Sequence, residues 1–170
     1  AKVVAELHGR LAPEDFARQL SLLGKMYGCG PRDFHSNALV SVERSHSSGQ
    51  TVLRLLNEEL KYRPLFWNRE INRRTRKIGR RIGWITDVTS RMPMLDELGR
   101  ALREDGLEIP GKDLVREMTT FVVWPNGKPM AEEGCHDDRV IAFAIAWQMA
   151  LREHFHGSSS LPKPAPIDPD

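Results

Sequence analysis

The stretch Gly134–Trp147, GCHDDRVIAFAIAW, places His136, Asp137 and Asp138 directly in front of a run that is apolar almost all the way round. Val140, Ile141, Phe143, Ala144, Ile145 and Trp147 leave a helix here little polar surface, so the helix expected from about Asp137 to Phe155 must pack deep inside layered neighbours. A lone Asp at such a start is an N-cap, its carboxylate accepting backbone N–H bonds at the positive end of the helix dipole. Successive helical residues point about 100° apart, so with two acids one can cap while the other faces a cleft. Ionised carboxylates crowded at the edge of a core repel one another unless a cation neutralises them. A hard divalent metal with oxygen ligands answers that need.

A metal needs ligands from more than one element, and Glu43 is the best candidate elsewhere. In ALVSVE, Val40 and Val42 take one face of a strand and Leu39, Ser41 and Glu43 the other. Glu43 therefore ends a hydrophobic strand just before the Ser- and Gly-rich turn RSHSSG, where an acid is left facing a cleft. His35, His46, His154 and His156 have no ligand-like spacing. The two cysteines, Cys29 and Cys135, form no CxxC pair, which argues against structural zinc and fits free thiols in a reducing compartment.

The remaining elements follow from periodicity and punctuation. Lys2 to His8 alternates and reads as a short strand. APEDFARQLSLLGKMYG has Pro13 and two acids at its head, Phe16, Leu20, Leu23 and Met26 or Tyr27 at helical spacing, and Gly28 at its end. Further helices are expected over Gln50 to Leu60, from Ser90 to Asp105, and in the second half of LEIPGKDLVREM, with a brief strand at RPLFW. Asn126-Gly127, between the extended pieces of TTFVVWPNGKPM, signals a hairpin. Helices interleaved with strands give an α/β domain with a mixed sheet over residues 1–156, and 157–170, HGSSSLPKPAPIDPD after its first residue, reads as a disordered tail.

With 170 residues, 40% of them hydrophobic, the chain can bury a real core as one domain. A formal charge of +2 does not by itself announce a nucleic-acid binder. The distribution does more: NREINRRTRKIGRRIG carries Arg69, Arg73, Arg74, Arg76, Lys77, Arg80 and Arg81 against the single acid Glu70. It reads as a mobile basic loop suited to tracking phosphate. Neither GxxxxGK[ST] nor GxGxxG is present, so no P-loop or dinucleotide site is expected. No apolar run approaches the roughly 20 residues a bilayer-spanning helix needs, and the N-terminus does not read as a targeting segment. A soluble, intracellular protein is the expectation.

Several of these stretches, taken in order, resemble the C-terminal nuclease domain of the large terminase subunit of tailed phages and prophages. They are VSVERSHSSGQTVLRLL, then GWITDVTSRMPMLDEL, then EMTTFVVWPNGKPMAEEGCHDDRVIAFAIAW. The shared pattern is a strand ending in an acid, a GW-x-T element, a Ser/Thr-Arg-Pro-like helix start, a Glu ahead of a Phe-rich hairpin, a Gly-Lys turn and a G-x-HDD-x-x-x-A helix, and it covers most of the chain from about Val3 to Trp147. The resemblance implies a ribonuclease H-like fold and a Mg²⁺- or Mn²⁺-dependent endodeoxyribonuclease that cuts concatemeric viral DNA during genome packaging. It implies two ions about 4 Å apart, held by Glu43, Asp137 and Asp138, one Asp as direct ligand and the other orienting it, with His136 beside them. It implies double-stranded DNA, met by Arg73, Arg74, Arg76, Lys77, Arg80, Arg81 and, in the hairpin, Lys128. The terminase ATPase motor, the small terminase subunit and the portal would be its partners, in the cytoplasm of a bacterial host. The family's first hairpin, with its central Asp, is not found in this sequence. Glu6, on an edge strand, is not expected to replace that Asp. The competing reading is a catalytically impaired DNA-binding or assembly module with the same fold. Another ribonuclease H-like nuclease, such as a resolvase or transposase, ranks third.

Overall fold

An extended segment at 39–44 carries helices on both of its faces in the computed structural model, which describes residues 1–28, 37–71, 76–104, 106–125 and 127–157. Alternation explains the two layers. Val40 and Val42 join a core formed with helix α1 (Pro13–Met26) and helix α2 (Ser47–Arg54), while Leu39 packs into a second core with α3 (Val88–Arg103) and α5 (Asp138–Gly157). The remaining elements are strands β1 (Trp67–Ile71) and β2 (Ile78–Ile82), helix α4 (Lys112–Thr119), and strands β3 (Phe121–Val123) and β4 (Pro129–Ala131). An α/β chain with a helical layer on either side of extended backbone is therefore what these residues build.

The expected mixed sheet is reduced to small pieces. Two antiparallel pairs, β1 with β2 and β3 with β4, stand apart, and the 39–44 segment makes only isolated parallel bridges, Val40 with Leu65 and Glu43 with Trp84. All of its partners lie along one edge: Val40 bonds to Pro64 and Phe66, then Val42 and Arg44 bond to Trp84. Residues 64–66 and 83–84 thus form one interrupted strand, and the β1–β2 hairpin is an excursion from it. Gly83 closes the excursion. Its φ of 87° lies in the left-handed region, and it sends Ile82 into the first core and Trp84 into the second, where unbroken strand alternation would put both on one face. A Cβ here would meet a Leu53 methyl at 2.5 Å and the Val42 carbonyl at 2.7 Å, so no other residue fits.

Other expectations hold in type and shift in detail. The segment Lys2–His8 is not a strand: only Lys2 bridges, in parallel, to Glu108. Alternation needs a core to face, and Val4 and Leu7 remain exposed. Helix α1 begins at Pro13 as expected, but its buried stripe is Ala17, Ser21 and Gly24, with Phe16 and Leu20 beside it; Met26 is 75% exposed. Small residues let the helix sit close, and the larger ones flank the contact. Helix α2 starts at Ser47, not Gln50, and continues as a π-helical turn over Leu55–Glu59. Helix α3 begins at Val88, two residues ahead of the expected Ser90, because Asp87 caps it. The β3–β4 hairpin forms at Asn126-Gly127 as read, with φ 75° at Gly127, although Asn126 itself lies outside the described residues. So do Cys29, His35 and residues 158–170, which hold most of the expected tail.

The chain expected as a mobile basic loop is, where described, a paired ribbon. Residues 67–71 register against 78–82, Trp67 opposite Ile82 and Arg69 opposite Arg80. Charge density masked the alternation of Trp67, Ile71, Ile78 and Ile82 in the sequence, which is what a two-stranded ribbon requires.

Helix α5 is as buried as its composition demands. Val140, Ile141, Ala144, Ile145 and Met149 are buried, each large side chain contributing roughly 1.5–3 kcal/mol on leaving water. Its other restraint is ionic. Glu117 of α4, 7% exposed, accepts the backbone N–H groups of Arg139 (2.5 Å) and Val140 (3.1 Å) with Oε1, and the Arg139 guanidinium at 3.1 Å with Oε2. Replacing Glu117 with Ala leaves two helix-end N–H groups without their acceptor and the Arg139 guanidinium with only the more distant carboxylates of Glu6 and Asp113, each at 3.9 Å. Urea unfolding should show a loss of about 3–5 kcal/mol for Glu117→Ala and about 1–3 kcal/mol for Glu117→Gln, which keeps one acceptor oxygen. An Ala variant within about 0.5 kcal/mol of the parent would show that the clamp does not hold α5.

Candidate acidic edge and basic ribbon

Neither acid at the mouth of α5 caps the helix. Asp137 stands at the capping position, its carbonyl accepting Ile141 N–H at 2.9 Å, yet its carboxylate turns away to Arg91 Nη2 at 2.7 Å. The capping role belongs to Glu117, from a different helix. Asp138, the first residue of α5, is exposed, and so is His136. A carboxylate from α4 on the helix N-terminus is thus what leaves Asp137 free for other work.

Glu43 lies near the C-terminal end of the 39–44 segment. It bridges Trp84 in parallel, and Arg44 N–H bonds the Trp84 carbonyl at 2.9 Å. Three residues past Trp84, Asp87 starts α3, and one turn into α3 the guanidinium of Arg91 reaches both Asp137 and the Pro129 carbonyl, at 2.7 and 3.2 Å. Arg91 thus links the mouth of α5 to the root of the β3–β4 hairpin, and its helix begins three residues past Trp84, the bridge partner of Glu43. Lys128, exposed, precedes Pro129 in that hairpin. The first turn of α2 presses on the end of the 39–44 segment. A Cβ on Gly49 would sit 1.9 Å from the Glu43 carbonyl, so only glycine lets the helix approach this closely. Glu43 is half-buried and accepts Ser45 Oγ at 3.2 Å.

As they stand, these side chains do not make a metal cage. Among the described residues no group of three His, Cys, Asp or Glu is arranged to hold an ion. Asp137 has its charge met by Arg91, the two side chains being 29% and 30% exposed. Cys135 is a free, exposed thiol.

The ribbon leaves this region from beside Trp84. Arg69, Arg76, Lys77, Arg80 and Arg81 are exposed, whereas Arg73 and Arg74 lie outside the described residues. Burial first, and then the charge of Arg81, pull the Arg44 guanidinium below its ordinary pKa, which ties the foot of the ribbon to the residue next to Glu43. Behind it, Arg152 of α5 lies over the rings of Trp84 and Phe66, 4.7 and 5.4 Å from their centroids, and burial lowers its pKa as well. No helix among the described residues is long and apolar enough to cross a membrane.

Three residues that organise this edge were not singled out in the sequence. Arg91 was visible only as part of a Ser/Thr-Arg-Pro-like helix start. Glu117 was visible only as an acid ahead of a hairpin, with nothing local to say that it caps a helix 20 residues downstream. Asp87 had a readable signal, an Asp followed by Thr89 and Ser90, of the kind that caps helices. No family model matches the chain, and no curated protein or solved structure matches it either.

Asp87 gives the edge a pH dependence with a definite sign. Its Oδ1 accepts Thr89 Oγ1 at 2.7 Å, Ser90 N–H at 2.8 Å and Thr89 N–H at 2.9 Å, and these bonds hold its pKa below the usual 3.8, the Thr89 hydroxyl contributing most. A lowered carboxylate pKa means stabilisation that is complete above the ordinary value and disappears as pH falls through the folded one. A carboxyl NMR titration should place the Asp87 midpoint below 3.8, with the first-turn amides of α3 following it. In Asp87→Asn those amides should lose that step. A midpoint at or above 3.8 would contradict the capping geometry.

Proposed function

We propose that this chain is a ribonuclease H-like, terminase-type nuclease domain, a Mg²⁺- or Mn²⁺-dependent endodeoxyribonuclease acting on phage or prophage DNA during genome packaging. One observation supports the reading: Asp137 at the mouth of α5 is held by Arg91 of the helix that begins three residues past Trp84, the bridge partner of Glu43.

In this reading Glu43, Asp137 and Asp138 are this chain's oxygen donors, with His136 beside them. Arg73, Arg74, Arg76, Lys77, Arg80, Arg81 and Lys128 meet the DNA backbone. Ion binding requires the Arg91 guanidinium to give up Asp137, because one carboxylate oxygen pair does not serve both. Divalent ions would supply polarisation of the scissile phosphate and an activated water. An ATPase motor, a small subunit and a portal would be the packaging partners, in the cytoplasm of a bacterial host.

A second reading, a DNA-binding or assembly module that does not cut, draws on a specific observation. Arg91 already neutralises Asp137, and the described residues include no three-ligand group. Plasmid DNA incubated with the protein and Mg²⁺ or Mn²⁺ separates the two. The nuclease reading expects metal-dependent conversion of supercoiled DNA to nicked and linear forms, reduced at least about 100-fold in Glu43→Ala and in Asp138→Ala, since even residues behind a metal ligand cost 10–100-fold. DNA binding with no metal-dependent cutting establishes the module instead.

A further inference from the structure

Antiparallel register sets Arg69 directly opposite Arg80, so the two side chains leave the same face of the β1–β2 ribbon a single strand spacing apart. Like charges opposite one another destabilise a ladder. Among the described residues neither arginine makes a side-chain hydrogen bond or ion pair, and both are exposed. The ribbon has no core to compensate, since residues 76–81 are all exposed and Trp67, at its root, is 49% exposed. An exposed two-stranded ribbon is marginal on its own. Two guanidiniums left facing each other at its centre are placed to share an anion.

We infer that the β1–β2 ribbon is a phosphate clamp for duplex DNA, closed by the backbone phosphate that Arg69 and Arg80 share, and ordered by that contact. The inference deepens the proposed function by assigning the substrate grip to one register pair, and it rests on DNA being the substrate.

Three features select a nucleic acid over other anions. The arginines project from both faces of the ribbon, Arg69 and Arg80 from one and Arg81, opposite Asn68, from the other. An element that lies on a lipid surface segregates its charges from its apolar face, whereas here the positions of Trp67, Ile78 and Ile82 share their face with the arginine pair. Two strands about 4.8 Å apart, with side chains on either side, match a major groove about 12 Å wide, where phosphates flank both faces. The return strand of the ribbon runs on to Trp84, which bridges Glu43 and accepts Arg44 N–H, so a duplex held along the ribbon approaches Glu43.

Charge reversal at one position of the pair provides the test. Arg69→Glu turns a repulsive cross-strand pair into an attractive one, so the free ribbon should become better ordered while its affinity for DNA falls. Hydrogen exchange of the ribbon amides in the parent protein should slow on adding a short duplex; in Arg69→Glu it should already be slow without DNA. Duplex affinity near 100 mM salt should drop about tenfold, and the slope of log affinity against log salt should shallow by about one, the share of one lost phosphate contact. Arg80→Glu should behave alike, and the double reversal should lose both the order and the binding. Unchanged exchange on adding DNA, an unchanged salt slope in Arg69→Glu, or stronger protection by phosphatidylserine vesicles than by the duplex would overturn the clamp. The outcome separates from the nuclease reading: cutting with an unaltered Arg69→Glu slope removes only the clamp, and clamped binding without metal-dependent cutting removes only the nuclease.

Discussion

A carboxylate buried against the N-terminus of the central helix is the constraint on which the rest of this edge depends. Helix α5 is apolar enough to be driven into the interior by its own surface, but burial leaves its first N–H groups needing acceptors. Glu117 supplies them from α4 and takes the Arg139 guanidinium with the same carboxylate. Because its charge is met by both the helix end and an arginine, it tolerates 7% exposure without standing as an isolated ion. The consequence reaches beyond stability. Asp137, relieved of capping, is oriented by Arg91, and Arg91 belongs to the helix that starts where the strand beside Glu43 ends.

The second constraint is the thinness of the extended layer. Residues 39–44 are paired along one edge only among the described residues, and their two faces are kept apart by strict alternation, with Val40 and Val42 toward α1 and α2 and Leu39 toward α3 and α5. The neighbouring strand is interrupted by the ribbon, and Gly83 is where the chain re-enters. Left-handed backbone at that single residue both turns the chain and exchanges the face on which its side chains lie. The ribbon is therefore rooted in the interior at Trp84, which carries Arg152 stacked upon it, while Arg76, Lys77, Ile78 and Arg80 farther out are exposed.

Much of the architecture was legible in the sequence because local signals agree with the tertiary outcome. Pro13 with Glu14 and Asp15, the Asn126-Gly127 pair, and the apolar run of α5 each name an element that forms. The failures have physical causes. Val4 and Leu7 alternate, but alternation specifies a strand only where a core receives one face. The dense arginines of 69–81 suggested self-repelling coil, whereas the ladder between β1 and β2 tolerates the repulsion. At the site, the acids could be named from type and position, yet their engagement could not: whether Asp137 caps, binds an ion or pairs with arginine is decided by Glu117 and Arg91, both distant in sequence. Charge partners brought together by folding leave no periodic trace.

The central claim is that Glu43 and the acids at the mouth of α5 act as one divalent-ion site once Arg91 yields. Substoichiometric Mn²⁺ added to ¹⁵N-labelled protein tests it without reference to catalysis, since a bound paramagnetic ion broadens the amides around it. The account predicts that the signals of Arg44 and Asp138 broaden together at the same Mn²⁺ concentration, and that both are spared in Glu43→Ala. Broadening of one without the other, or scattered equally over surface acids such as Glu58 and Glu104, would contradict it.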